Sequence, residues 1–436
     1  VWRIAWPIIL ANGAVPLLGI VDTAVVGHLG RASAIGAVAL GALIFSFVYW
    51  GFGFLRMGTT GLTAQALGRE DAPEIQANLY RALVVGASLG GLLVFLQWPI
   101  GAYAFWLIEG GAAVEDEALA YFHIRIWGAP AALMNFAVLG WFIGLHKSRN
   151  VLIIQVTLNL LNIALDLLFV MGFGWGVPGV AIATILSEWT ALCLGVLLVL
   201  REQRTTFGTH QFFSVDWRAI LDAQAMKQTI SVNGDIFIRS LCLVFAFAWF
   251  TSQSARMGDV VLAANTVLMQ FFNIGAHVID AFAFAAEAMV GTAVGARDHT
   301  GLRAAVVISS QLAFAAALIL SILFLIAGVP AIHGLTDLDA VRATATEFLP
   351  WAVAMPLIAL ACFQLDGIFI GATRTAEMRN AMIVSLAAYL ALWAFAFPAF
   401  GNHGHWGAFA AFFVIRAVTL GALYPRLERT AIEGAA

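Results

Sequence analysis

Long apolar runs, broken by short polar stretches, dominate the pattern of this chain. Runs near 4–26, 34–66, 78–107, 118–145, 150–171, 178–200, 219–254, 260–293, 303–332, 341–371, 379–400 and 405–425 are each long enough to cross a bilayer. About 20 apolar residues suffice for one helical crossing. Hydrocarbon offers the backbone no hydrogen-bond partner, so runs of this length are expected as helices. One long polar break, Arg201 to Asp216, separates two sets of six runs. The pattern predicts an all-α polytopic membrane protein with twelve transmembrane helices in two six-helix lobes. The N-terminal lobe is expected over 1–200, a cytoplasmic linker over 201–218 and the C-terminal lobe over 219–436.

The two lobes repeat each other. Phe142-Ile-Gly-Leu-His-Lys-Ser148 recurs as Phe369-Ile-Gly-Ala-Thr-Arg-Thr375, an offset of 227 residues. At the same offset, Ala66, Gly68 and Asp71 find Ala293, Gly295 and Asp298. Six helices per repeat bring both repeats in from the same side, with a pseudo-two-fold axis along the membrane normal. Paired repeats of this kind favour a transporter over a receptor or an anchor.

Composition agrees. The chain is 62% hydrophobic and 11% charged, against about 25% charged in soluble domains. A net charge of −3 implies no nucleic-acid partner. Of the 22 Lys and Arg, Arg56, Arg125, Arg239 and Arg416 are assigned within the membrane, and Arg31, Arg256 and Arg342 share one side. The other fifteen lie on the opposite side, which the positive-inside rule makes cytoplasmic, with both termini. Cys193, Cys242 and Cys362 lie in apolar runs at unrelated spacings and suggest neither a metal site nor a disulfide. No phosphate-binding Gly-x-x-x-x-Gly-Lys-Ser/Thr loop occurs, which argues against ATP drive. No enzyme activity and no cofactor are expected.

Against this apolar background the acids carry the chemistry. Asp22 sits in the first run, on a helix that Pro7 and Pro16 make easy to bend by removing backbone donors. An ionised carboxylate in hydrocarbon costs about 3 kcal/mol on insertion scales, so Asp22 should be protonated, paired or hydrated. Gln155, Asn159, Asn162 and Asp166 on the fifth helix are spaced four, three and four apart, one polar stripe on one face. Adding 227 to Asp22 and Asp166 lands on Trp249 and Trp393, so these acids belong to the first lobe alone. Asp235 and Arg239, four apart on the seventh helix, are expected to neutralise each other. Glu188 is a structural or gating candidate. Asp280, Glu287 and Asp366 could face a cavity in the second lobe and help select cations. Arg56 and Arg125 are expected to balance acids, and Met57 would suit an adaptable drug cavity.

The chain resembles the multidrug and toxic compound extrusion (MATE) transporters, in particular their DinF-like branch. The resemblance is carried by Val15-Pro-Leu-Leu-Gly-Ile-Val-Asp-Thr-Ala-Val-Val-Gly-His-Leu29 and Phe54-Leu-Arg-Met-Gly-Thr-Thr-Gly-Leu-Thr-Ala-Gln65. Asn162-Ile-Ala-Leu-Asp166 and Asp366-Gly-Ile-Phe-Ile-Gly-Ala-Thr-Arg-Thr-Ala-Glu-Met-Arg-Asn380 add to it, and the likeness covers essentially the whole chain. It implies a MATE/MOP-type fold, with two lobes around a central cleft, and export of amphipathic, often cationic, small molecules by alternating access. It further implies an N-lobe cation site on Asp22, Asn162, Asp166 and Thr184, with Pro7 setting a bend in the first helix. Sodium needs several oxygen ligands, which these four residues could supply, whereas a proton needs only a buried acid, so H⁺ is the expected coupling ion and Na⁺ the alternative. A lipid-linked oligosaccharide flippase of related architecture would call for a more basic cavity. An intramembrane protease has only the two Asp residues in its favour. The remaining expectations are membrane lipids as surroundings, a monomer, and the bacterial inner membrane as location.

Overall fold

The computed structural model describes the backbone of residues 1–27, 31–107, 112–207 and 217–433. It describes their side chains except at 14–20, 22–24, 32, 107, 112–113, 206–207, 218–219 and 430–433. The described residues are helical almost throughout. The first half holds α1 (Trp2–Gly27), α2 (Ala32–Gly51), α3 (Phe54–Gly68), α4 (Ala72–Phe95), α5 (Gln97–Leu107), α6 (Ala112–Arg125), α7 (Ala129–Gly144), α8 (Ser148–Asp166) and α9 (Gly176–Phe207). A short α10 (Trp217–Ile220) precedes α11 (Ala223–Arg256), α12 (Asp259–Gly295), α13 (His299–Leu335), α14 (Asp339–Gly371) and α15 (Thr375–Glu433).

Ten segments among the described residues have the length and hydropathy to cross a membrane. One of them, Ser33–Gly68, runs through the join of α2 and α3, and another, Val114–Gly144, joins α6 to α7. The segment Thr375–Arg429 covers the last two helices expected from the sequence, which meet at Gly401 with φ 55°. That backbone region suits a residue without Cβ. Dividing α15 there, and adding the 26-residue α1, completes the twelve-helix architecture. The third expected run is divided at Leu96, and Pro99 stands in the first turn of α5, where its missing N–H costs no helical bond.

Two compact units result. The first comprises Pro7–Thr63 and Asp71–Ser231, and the second Val1–Trp6, Ala64–Glu70 and Val232–Ala436. Val26, Ala37, Phe45, Tyr121, Phe122 and Val180 pack in a core of the first unit. In the second, Phe250, Phe272, Tyr389, Trp406, Phe409 and Phe413 form an aromatic core. Ile319, Leu323, Leu325 and Ile326 on α13 are exposed. A helix apolar on all sides is one that faces lipid.

The 227-residue repeat is written into the backbone. Glu70 and Arg297 both take positive φ, 57° and 55°, as do His146 and Thr373, 60° and 54°. Asp71 caps α4 by accepting from the Glu74 N–H at 3.1 Å, and Asp298 caps α13 by accepting from the Gly301 N–H at 2.9 Å. Gly140 lies against the Arg56 carbonyl, and Gly367 against that of Ala283. A Cβ on either glycine would overlap backbone, so α3 with α7, and α12 with α14, pack main chain to main chain. Small residues permit this close approach between membrane helices.

Candidate functional site

In the first unit, α8 turns its polar stripe inward. Asn159, Asn162 and Asp166 are buried and Gln155 is half-buried. The Asn162 Nδ2 donates to Thr184 Oγ1 on α9 at 3.4 Å, while the Thr184 hydroxyl donates to the Val180 carbonyl at 2.9 Å. Among the described residues, Asn162 Oδ1 accepts no hydrogen bond and Asn159 Nδ2 donates none. Asp166, 0% exposed, is the last residue of α8, and the chain continues as a π-helical turn, Leu167–Gly172. Its wider geometry is marked by the Phe173 N–H donating to the Leu168 carbonyl at 2.9 Å. Such turns are rare and concentrate at functional positions.

An amide oxygen, a hydroxyl and a carboxylate are hard oxygen donors, suited to a proton or an alkali cation and unsuited to soft metals. No group of three or more His, Cys, Asp or Glu able to hold a metal occurs among the described residues. Asp22 and Pro16 lie on α1, and their side chains are outside the described set. Pro7 is buried near the start of α1, at the first residue of the first unit, and Met57 is half-buried on α3.

Glu188, one turn beyond Thr184 on α9, lies in a fork. Arg125 Nη2 donates to its Oε1 at 2.7 Å and Nη1 to its Oε2 at 3.0 Å. The guanidinium also lies over the rings of Phe45 and Tyr49, 5.0 and 5.4 Å from their centroids. Asn135 Nδ2 donates to the Glu188 carbonyl at 3.0 Å. Gly128 borders the pair so closely that a Cβ there would strike the carboxylate.

The second unit distributes its charges differently from the i, i+4 expectation. Asp235 does not serve Arg239; it accepts from Arg379 Nη1 at 2.5 Å and from Thr375 Oγ1 at 2.9 Å. Arg239 reaches across to Asp366 on α14, and Arg416 on α15 pairs with the same carboxylate. Asp366, expected as a cavity acid, is thus buried between two guanidiniums. Asp280 and Glu287 on α12 lie within electrostatic reach of Arg239. Glu287 is buried and Asp280 half-buried. The physical reason is length: an arginine stem spans to a neighbouring helix, and a planar fork binds a carboxylate there better than along its own helix surface.

A family model described as MatE matches this chain twice, over residues 7–168 and 236–397. The chain belongs to the MatE family. It is 38% identical to the DNA damage-inducible protein F of Escherichia coli (strain K12), over 98% of this chain and 91% of that protein. It is 28% identical to the probable multidrug resistance protein NorM of Rhizobium meliloti (strain 1021), over 97% and 92%. Among solved structures, the MATE transporter VcmN of Vibrio cholerae superposes with TM-score 0.87 at 17% identity, covering 99% of this chain and 96% of that one. A MOP superfamily transporter from Pyrococcus furiosus gives 0.85 at 19%, with the same coverage. This MatE chain is therefore an integral membrane transporter with the MATE/MOP fold, and the two family matches coincide with its internal repeat.

Sequence reasoning missed three features of the MatE chain. The expectation that Arg125 balances an acid holds, but its partner Glu188 lies 63 positions away, a pairing no local pattern signals. The π-helical turn after Asp166 carried no clear sequence mark, although Gly172, Gly174 and Gly176 follow it closely. A buried network in the second unit was also unforeseen. There Trp393 Nε1 donates to His405 Nδ1 at 3.0 Å, and Asn265 Nδ2 donates to Asn402 Oδ1 at 2.9 Å. His405 itself is buried and stacked on Phe250.

Proposed function

We propose that this chain exports amphipathic, often cationic, small molecules in exchange for protons, with Asp22, Asn162, Asp166 and Thr184 as the proton-binding set. The observation that carries the reading is the buried oxygen cluster between α8 and α9. Asp166 is fully buried at the start of a π-helical turn, beside an amide oxygen of Asn162 that lacks a partner among the described residues. The repeat supports the inclusion of Asp22. Its equivalent, Trp249, meets the equivalent of Asp166, Trp393, edge to face with centroids 5.3 Å apart. Positions that make contact in one repeat are candidates for contact in the other.

Glu188 and Asp366 stand outside the proton-binding set in this reading, because each carries a guanidinium partner. Gln155, Asn159 and Met57 are the polar and adaptable positions left to meet a substrate. The chain acts as a monomer in the bacterial inner membrane with both termini cytoplasmic, an orientation supported by the Lys and Arg distribution. Sodium is the second reading, since the same oxygens form a hard-cation donor set.

Dye efflux from proteoliposomes under separately imposed pH and sodium gradients tests this. Efflux driven by a pH gradient without sodium is expected; efflux that requires sodium and ignores pH would replace the proton by Na⁺.

A further inference from the structure

A cavity of about 720 Å³ lies within the second unit, and none of the acids described above is among its lining residues. Its walls come from α13, α14 and α15. Helical spacing accounts for them: Val306, Ser310 and Phe314 follow one face of α13, and Leu360, Gln364 and Ile368 one face of α14, with Tyr424 closing the third side. Volumes of this size are typical of sites for small ligands.

Gln364 stands in the middle of the α14 wall. It is 3% exposed, and among the described residues neither its Nε2 nor its Oε1 has a hydrogen-bond partner. An unsatisfied amide in an apolar setting is costly, so its position on the wall points to a ligand with a polar group at that depth.

The walls are mostly apolar, and a cluster of charged side chains stands about one turn beyond one end of them. One turn before Val306, Arg303 pairs with Glu428, which lies one turn beyond Tyr424, and His299 Nε2 stands 3.4 Å from Glu428. At the far end are Phe314 and Leu360. From residue 306 to 314 the α13 wall is about 12 Å long at 1.5 Å per residue, close to the roughly 15 Å hydrocarbon depth of one leaflet. Beside it, Val307, Ile308 and Ile319 on α13 are exposed apolar side chains, so the opening is onto the lipid-facing surface.

We propose that this cavity is a binding site for one membrane phospholipid. Its phosphate lies by Arg303 and His299, an ester carbonyl accepts from Gln364 Nε2, and an acyl chain lies along Phe314 and Leu360. Charged phosphate, then ester carbonyl, then hydrocarbon is the order of groups along a phospholipid, matching the charged cluster, the Gln364 amide and the apolar wall in turn, and no reversal of the ligand satisfies all three. On the topology proposed above the lipid belongs to the cytoplasmic leaflet; the site itself does not depend on that topology or on the coupling ion.

The test uses the full chain in nanodiscs of phosphatidylethanolamine and phosphatidylglycerol, with trace phosphatidylglycerol carrying a diazirine in its acyl chain. Crosslinks are expected to concentrate on residues 306–314 and 360–368. Ala361→Trp, which fills the cavity from its open side, should remove them while crosslinks near Ile319 persist. Loss of one hydrogen bond worth about 1 kcal/mol predicts that Gln364→Leu weakens lipid affinity about fivefold, read from crosslinking against the fraction of labelled lipid. Uniform labelling along α13 that Ala361→Trp leaves unchanged would overturn the site. Displacement of the label by excess ethidium would assign the cavity to organic cations instead and overturn the lipid. Efflux assays on the same variants report on export separately.

Discussion

Arg125 on α6 grips Glu188 on α9 through two parallel hydrogen bonds of 2.7 and 3.0 Å, both side chains buried in the first unit. The pair stands one helical turn from Thr184, so it holds α9 in register beside the α8 polar stripe. Taking one partner away leaves the other charged, dry and alone. Arg125→Met or Glu188→Leu alone is therefore expected to destabilise the fold by about 3–5 kcal/mol. The double variant should recover much of the loss, because it buries no charge. Detergent-solubilised thermal unfolding of the three variants checks this, and equal losses in single and double variants would contradict it.

Asp166→Asn keeps size and hydrogen bonding but cannot exchange a proton. Efflux driven by a pH gradient is expected to fall to background, with folding and membrane insertion intact. Thr184→Val removes the hydroxyl that Asn162 meets and should weaken coupling less, by roughly tenfold for an interaction of about 1.4 kcal/mol. Reconstituted efflux at fixed gradient, with yield and monodispersity measured alongside, separates these outcomes. Full transport by Asp166→Asn would remove it from the proton path.

Asp366 serves two arginines, and its loss should show as instability before it shows as altered ion selectivity. With Asp366→Asn, Arg239 and Arg416 face each other without their shared counter-ion, a loss of about 3 kcal/mol or more. Arg239→Met in the same chain should restore part of that stability. A stable Asp366→Asn protein with a changed ion dependence would instead return Asp366 to the transport site.

The repeat makes a symmetric prediction. Gly140→Ala and Gly367→Ala each push a Cβ into a facing carbonyl, of Arg56 and of Ala283. Each is expected to cost about 1–3 kcal/mol, the usual cost of overpacking. Gly91→Ala, with nothing within 4 Å of the added carbon, should be tolerated. Thermal unfolding midpoints would show whether the two repeat positions behave alike.

Outside the membrane-spanning segments, the Gly301 N–H and the Thr300 hydroxyl hold the Asp298 carboxyl below its usual range. Its folded-state pKa is depressed, so its contribution is complete above the unfolded value of about 3.9 and fades as pH falls through the lower, folded value. The stability difference between wild type and Asp298→Ala should be constant at neutral pH and shrink in acid. A difference that grows on acidification would show that the carboxylate does not cap α13.

What the sequence alone determined was everything that depends on local periodicity and length. Twelve apolar runs implied twelve crossings, because a chain in hydrocarbon must satisfy its backbone within each helix. The 227-residue offset identified the two repeats, and the structure adds that the loops after α3 and α12, and after α7 and α14, share their positive-φ residues. The 4-3-4 spacing of Gln155, Asn159, Asn162 and Asp166 placed them on one face before any neighbour was known. Tertiary structure alone decided who partners whom. Asp235 could pair along its own helix, yet it binds Arg379 from 144 residues away, and Arg239 and Arg416 converge on Asp366. A side chain's partner is settled by which helices pack together and how far each stem reaches, and that information is distributed over the whole fold. The π-helical turn after Asp166 belongs to the same category. It exchanges i, i+4 bonds for wider ones, and the packing of its surroundings rather than any single residue decides whether the exchange is stable.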